Sequence, residues 1–295
     1  TLRAMEVSFT TGPDAHGALE RLHAVLAAMP ERIVACSGGI DSLLLASVAH
    51  SASPTSTTVA HTVTPAVPGD ATARVVDHAE RHGWDLHTVR SGEFDDEAYL
   101  ANPTDRCYHC KRNLYDAVIE LRSDGGLPCD AVIVSGANVD DLGEYRPGLV
   151  AAAERDVRHP YVEANITKRE IRAIAAHLGL AEAELAASPC LASRLYTGTR
   201  VTASRLRAVE AGDALIRVRA GVAGVRCRVD DTSVLVEVPD GVRDLVTPSI
   251  LAGVTATMTT IEPSIESVRL DERAYAPGRA FVGAETASHD QPRDS

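Results

Sequence analysis

Cys107 and Cys110 are separated by two residues within Asn102-Pro103-Thr104-Asp105-Arg106-Cys107-Tyr108-His109-Cys110-Lys111, and Cys190 follows downstream in Ser188-Pro189-Cys190-Leu191-Ala192-Ser193-Arg194. Arg106 and Lys111 flank the pair, and neighbouring cations favour the thiolate form that binds metals and attacks electrophiles. Three thiols can hold a metal or an iron–sulfur cluster with one position left open. A redox pair or a zinc site uses the same two-residue spacing. Structural zinc would need a fourth ligand, for which His109, between the two cysteines, is poorly placed. Inert buried cysteines are a further reading. Arg194, four residues after Cys190, suits a bidentate contact to a carboxylate or phosphate, although a lone arginine is more often a solvated surface charge. Cys129 and Cys227 have no such surroundings and are expected to be ordinary buried residues, and Cys36, which ends an apolar strand, is expected to be a buried structural one.

A second set of residues could bind an anion. In Ala35-Cys36-Ser37-Gly38-Gly39-Ile40-Asp41-Ser42, two glycines lie between an apolar strand and an apolar helix. Backbone N–H groups can converge there on a phosphate, helped by the positive end of the helix dipole. Ser37 and Ser42 add hydroxyl donors, and Asp41 is an acceptor suited to holding the loop or magnesium. No lysine follows the glycines, so this is not a Walker A loop. Glycines alone would equally suit a tight strand-to-helix connection. A third motif, Gly136-Ala137-Asn138-Val139-Asp140-Asp141-Leu142-Gly143-Glu144-Tyr145-Arg146-Pro147-Gly148, also follows an apolar strand. Its acidic residues could orient magnesium, ribose or an adenylate, or could form an exposed Asx turn or helix cap.

Ser37-Gly38-Gly39-Ile40-Asp41-Ser42 resembles the PP-loop signature of ATP pyrophosphatases, which cleave ATP to AMP and pyrophosphate during adenylation. By that resemblance, Ser37, Gly38, Gly39, Asp41 and Ser42 hold the pyrophosphate part of ATP. Taken with the three cysteines and the 136–148 motif, the set resembles the LarE-type sulfur transferases over residues 32–278. The resemblance implies an enzyme that adenylates a carboxylate of a pyridinium dicarboxylate mononucleotide and inserts sulfur to give a thiocarboxylate, towards a nickel-pincer nucleotide cofactor. It implies ATP and Mg2+, with Asn138, Asp140 and Asp141 joining the PP-loop at the nucleotide, and Cys190, Asp41 and Arg194 as catalytic residues. Two sulfur sources occur in the family. Either a lone cysteine at the position of Cys190 gives up its own sulfur and becomes dehydroalanine, or three cysteines matching Cys107, Cys110 and Cys190 bind a [4Fe-4S] cluster whose open iron can carry an extra sulfide. All three are present, which favours the cluster. A homo-oligomer is also implied. Rival classes are a PP-loop tRNA thiolase and a non-enzymatic, ATP-responsive Fe–S or sulfide carrier.

These motifs must be positioned by an alternation of strands and helices. Residues 17–29 have a helical period, 32–36 form an apolar strand, and 42–50 a helix. Strands are expected at 57–63, 85–89 and 131–135, with helices at 71–82 and 112–122. Such alternation implies a mostly parallel, doubly wound α/β sheet with ligands at its C-terminal edge. Thr167 and Glu170 form a capping-box pair for a helix ending at His177, before Gly179. Beyond a helix at 202–216, a hairpin over 226–229 and 234–238, a further helix and a strand near 265–270 suggest a smaller α+β unit. The expected organisation is a PP-loop domain at 1–200, a small α+β substrate or assembly domain at 201–278, and a polar, mobile tail at 279–295.

Whole-chain composition limits the partners. The 295 residues carry a net charge of -12 at pH 7, which argues against a broad nucleic-acid footprint and so against a tRNA substrate. The apolar runs are far shorter than the roughly 20 residues that span a bilayer. No membrane association is expected. The first residues lack the pattern of a secretory signal, so a cytoplasmic location with reduced cysteines and a small-molecule nucleotide substrate is expected.

Overall fold

Residues 14–143, 146–187, 189–276 and 278–280 are described in the computed structural model. The expected tail at 279–295 lies outside the described residues from 281 onward. Asp14 opens α1 (Ala15–Ala27) by accepting the Gly17 N–H at 3.0 Å, and β1 (Arg32–Ala35), α2 (Ile40–Ala52) and β2 (Thr57–Thr62) follow. Next come α3 (Gly69–His82), β3 (Asp85–Val89), the single turn α4 (Glu97–Leu100), α5 (Arg106–Ser123) and β4 (Val132–Ser135). Gly83, with φ 67°, ends α3 in the left-handed conformation that a side chain resists. Two short helices, α6 (Pro147–Ala153) and α7 (Pro160–Glu163), lead to α8 (Lys168–His177), whose capping box between Thr167 and Glu170 is formed as expected.

The four strands form one parallel sheet in the order β3-β2-β1-β4. The register sets Arg32 opposite Thr57 on one side and opposite Val132 on the other. Stepping from β1 to β2 to β3 through α2 and α3 puts both helices on one face, as right-handed crossovers require. That face is closed by α1 and α8, with Leu22, Leu26, Leu43, Leu44, Val75 and Ile171 buried together. The return from β3 to β4 carries α5 to the opposite face, where Tyr115 and Val118 pack on Ile33 and Ile133. The chain reverses its winding between β1 and β4. A doubly wound sheet opens a crevice beyond the strand ends at such a point.

A second, smaller sheet has the order β5-β6-β7, built from β5 (Arg226–Asp230), β6 (Ser233–Glu237) and β7 (Ser267–Leu270). The first two strands form an antiparallel hairpin, and the third pairs parallel to β6. Helices α9 (Ala203–Ala220) and α10 (Pro248–Ile261) cover it with a core of Leu206, Val209, Ile216, Val229, Val236 and Met258. The same cluster takes in Ala66, Tyr99, Leu191 and Leu195, so it extends back to the edge of the parallel sheet. Among the described residues, no helix is long and apolar enough to cross a membrane.

Candidate active site

The glycine-rich turn sits where β1 hands over to α2. Cys36 still pairs with β2, donating its N–H to the Ala60 carbonyl at 2.9 Å. Gly38 then turns with φ 76°, and α3 lies so close that a Cβ there would stand 2.4 Å from the Ala71 carbonyl oxygen. Only glycine fits both demands. Gly39 caps α2 without any side-chain hydrogen bond, leaving the first N–H groups of that helix directed at the strand ends. The Ser42 hydroxyl accepts the Ser37 N–H at 3.1 Å, donates to the Gly39 carbonyl at 3.0 Å, and lies 3.2 Å from the Ser37 hydroxyl. Ser42 therefore shapes the loop from within, and Ser37 is the more exposed of the two.

Two residues not singled out from the sequence brace this loop. His61, at the end of β2, donates through Nδ1 to the Cys36 carbonyl at 2.8 Å, and its Nε2 accepts from the Thr72 hydroxyl at 3.0 Å. Burial pulls the His61 pKa down, so the ring is held neutral in that tautomer. Arg74 on α3 donates to the Gly38 carbonyl at 3.0 Å. Neither residue belongs to a recognisable motif: the pairing of β2 with β1 brings His61 beside Cys36, and the packing of α3 across the loop brings Arg74.

The acidic loop lies beside this turn. A Cβ on Gly136 would approach the Ser42 N–H nitrogen to 3.0 Å, so the end of β4 is pressed against the start of α2. Asn138 is buried and closes an Asx turn, accepting the Asp140 N–H at 3.1 Å, while the Asp141 carboxylate accepts the Asn138 N–H at 3.0 Å and pairs with Arg146 at 3.0 Å. Asp140 accepts the Lys168 N–H at 2.7 Å. The Lys168 ammonium reaches both Asp41 oxygens, at 2.5 and 2.6 Å. Lys168 thereby joins the PP-loop to the acidic loop. The capping box around it, from Thr167 to Glu170, was legible in the sequence, but nothing in that local signal placed its side chain on Asp41.

The thiols come together from two distant segments. Cys107 and Cys110 lie in the first two turns of α5. Cys190 begins the tight turn Leu191–Arg194, which hydrogen bonds tie to the segment before α5. Asn102, with φ 55°, donates its amide to the carbonyls of Tyr196 and Thr199 at 2.7 and 2.9 Å. Arg106 donates to the Asn102 side chain and to the Ala192 carbonyl, the latter at 2.9 Å. The Leu191 N–H bonds the Ala66 carbonyl at 2.8 Å, which ties the Cys190 turn to the loop leaving β2. Burial is the largest influence on Cys107 and pushes it up; Cys190 adds to the rise, while Arg106 and Lys111 oppose it. Cys110 is pushed up to about 12, again by burial first and against the pull of Lys111. The expectation that flanking cations would favour thiolates is thus reversed for Cys107 and Cys110, because desolvation outweighs the charges. Cys36 and Cys227 are buried as expected, whereas Cys129 is exposed, near the end of the loop that follows α5.

Among the described residues, no three His, Cys, Asp or Glu side chains converge closely enough to hold one metal ion. A four-iron cluster makes a different demand, because each thiolate binds a separate iron and one iron is left without a protein ligand. Cys107, Cys110 and Cys190, within electrostatic reach of one another and of Lys111, fit that donor set. Arg194 is placed differently from a substrate-facing cation. It is buried, donates to the carbonyls of Pro189 and Cys190 at 2.9 and 3.3 Å, and lies 3.5 Å from the buried Asp213 carboxylate. Its geometry braces the Cys190 turn. Arg228, also buried, donates to the Ser193 carbonyl at 3.1 Å while pairing with Glu237 at 2.7 Å.

No family model matches the chain. The chain is 34% identical over 221 residues to an uncharacterized protein of Synechocystis sp., covering 75% of this chain and 81% of that one. It is 28% identical over 208 residues to the pyridinium-3,5-bisthiocarboxylic acid mononucleotide synthase of Lactiplantibacillus plantarum, covering 70% and 74%. An uncharacterized protein of Methanocaldococcus jannaschii is 27% identical over 185 residues, covering 63% and 69%.

Proposed function

Because this chain belongs to the family of LarE-type sulfur transferases, we propose that it uses ATP to adenylate a carboxylate of a pyridinium dicarboxylate mononucleotide and then inserts sulfur to give a thiocarboxylate. The observation that carries this reading is the approach of Cys107, Cys110 and Cys190 to one another at the same edge of the sheet as an uncapped PP-loop. A phosphate loop alone would suit many ATP enzymes, and three thiols alone would suit a metal site. Their combination suits activation followed by sulfur delivery.

In the first step a substrate carboxylate oxygen attacks the α-phosphorus of ATP, and the bond to the bridging oxygen of the β-phosphate breaks. Pyrophosphate departs, leaving an acyl-adenylate. The N–H groups at the start of α2 and the Ser37 hydroxyl would hold the departing pyrophosphate, and they are preorganised for the charge that builds there. Asp41 and the carboxylates of the acidic loop supply the oxygen donors that magnesium prefers, and Lys168 would add a positive charge beside the phosphates. In the second step a sulfur nucleophile adds to the activated carbonyl and AMP leaves with the carbonyl–oxygen bond electrons. A [4Fe-4S] cluster held by Cys107, Cys110 and Cys190 would supply an iron free of protein ligands as a place for the sulfur to be transferred. Arg194 would act through the Cys190 turn as a positioning residue. We further propose a cytoplasmic homo-oligomer.

The test is anaerobic purification with iron and sulfide analysis of the wild type and of Cys107→Ala, Cys110→Ala and Cys190→Ala, together with pyrophosphate release in the presence of the mononucleotide. About four irons per chain, lost in each variant, with substrate-dependent pyrophosphate release, is the expected result. Iron-free protein that releases pyrophosphate would shift the sulfur source to Cys190 itself, and dehydroalanine at that position after turnover would be the signature. ATP binding without pyrophosphate release would overturn the enzymatic reading.

A further inference from the structure

Tyr99 is 1% exposed, and its hydroxyl is buried without a hydrogen-bond partner. It belongs to the apolar cluster against which Cys110 and Cys190 are packed, with the Phe94 ring edge-on at 5.7 Å. A phenylalanine would fill this space as well. Leaving a buried hydroxyl unpaired is unfavourable, so the group calls for an acceptor. The groups that bear on it electrostatically are Cys190, Cys110, Arg106 and Glu93. Arg106 is engaged with Asn102 and the Ala192 carbonyl, and the Glu93 carboxylate is bonded by the Ser91 hydroxyl. The sulfurs of Cys110 and Cys190, packed against the same cluster, are the acceptors that its surroundings offer. A phenol is protonated at neutral pH, so the unpaired hydroxyl has a proton to donate toward negative charge gathered there.

We infer that the Tyr99 hydroxyl donates a hydrogen bond to a sulfur of the iron–sulfur centre held by Cys107, Cys110 and Cys190, acting as a positioning and tuning residue from beneath it. The inference rests on the cluster reading above. Hydrogen bonds to cluster sulfurs stabilise the more negative, reduced state and raise the reduction potential. Where a cysteine sulfur accepts it, the same bond would also fix that side chain's rotamer.

The experiment compares wild type and Tyr99→Phe as full-length protein, loaded anaerobically and also iron-free. The expected result is unchanged iron per chain, a reduction potential shifted to lower values in the variant, and a shifted set of iron–sulfur stretching bands. Iron-free Tyr99→Phe should melt at or above the wild type, since it loses an unpaired buried hydroxyl. An unchanged potential and unchanged vibrational bands in a fully loaded variant would overturn this inference and leave the cluster reading standing. Iron-free Tyr99→Phe melting well below the wild type would also overturn it, because the hydroxyl would then have a partner without the cluster. Wild type that takes up no iron would overturn both together.

Discussion

Lys168 makes two hydrogen bonds to Asp41 and, through its N–H, one to Asp140, while both side chains of the ion pair stay about one-third exposed, at 35% and 29%. Exposure discounts the pair as a source of stability. Its position next to the uncapped start of α2 makes it matter for ligand charge instead. Replacing Lys168 by Met should leave the melting temperature nearly unchanged and lower kcat/KM for ATP roughly 10- to 100-fold, the scale of one charge-assisted contact. Pyrophosphate release at varied ATP is the measurement, and an unchanged kcat/KM would remove Lys168 from the site. His61 carries a pH dependence of known sign. Its folded pKa lies below the ordinary 6.5, so between the two values the unfolded chain binds more protons than the folded one. The stability it contributes is complete above pH 6.5 and is lost as pH falls towards the folded value. Melts from about pH 7.5 to 5 should decline, and His61→Gln should flatten that decline, since a glutamine amide can still donate to the Cys36 carbonyl.

Elements with a strong apolar period were legible, and those held by tertiary contacts were not. The strand expected at 85–89 matches β3 residue for residue, and Thr167 caps α8 as its spacing with Glu170 required. By contrast, α5 begins at Arg106, six residues before the expected start at 112. Arg106-Cys107-Tyr108-His109-Cys110-Lys111 has no apolar stripe to mark it as helix, because the face it buries is made of thiols and the Arg106 guanidinium. The site's most informative turn of helix was therefore the least visible as one. The PP-loop was legible because its demand is local: a glycine at φ 76° with a neighbouring helix at contact distance. Gly38→Ala should be destabilised by about 2–3 kcal/mol from backbone strain and the forced shift of α3, and ATP binding should fall with it. Gly39→Ala, whose Cβ would meet nothing closer than 3.7 Å, is the control for stability. Thermal melts paired with ATP titration separate the two, and equal behaviour of both variants would contradict the packing argument.

Across the whole molecule, the two sheets were expected from the order of elements, while the seam between them was not. Ala66, Tyr99, Leu191 and Leu195 join the core under the small sheet although all four precede residue 201. We therefore propose that the small α+β unit draws its contacts from the Cys190 segment as well as from 201–278. Arg194 is where that seam carries charge: it braces the Cys190 turn, and its only carboxylate within ion-pair distance among the described residues is Asp213 of α9. Burial lifts the Asp213 carboxyl even with Arg194 beside it, and the Cys227 N–H holds its other oxygen at 2.7 Å. Asp213→Asn keeps the shape but leaves the Arg194 charge uncompensated in a buried site, a change that costs about 3–5 kcal/mol. The consequence should appear on both sides of the seam: a lowered melting temperature, and faster alkylation of Cys190 by iodoacetamide than in the wild type as the turn loosens. Asp213→Asn together with Arg194→Met removes both charges and should recover much of the stability without recovering the slow alkylation, because the carbonyls of Pro189 and Cys190 lose their donor. Full recovery of both properties in the double variant would mean that Arg194 serves the small unit's core alone and has no part in holding Cys190.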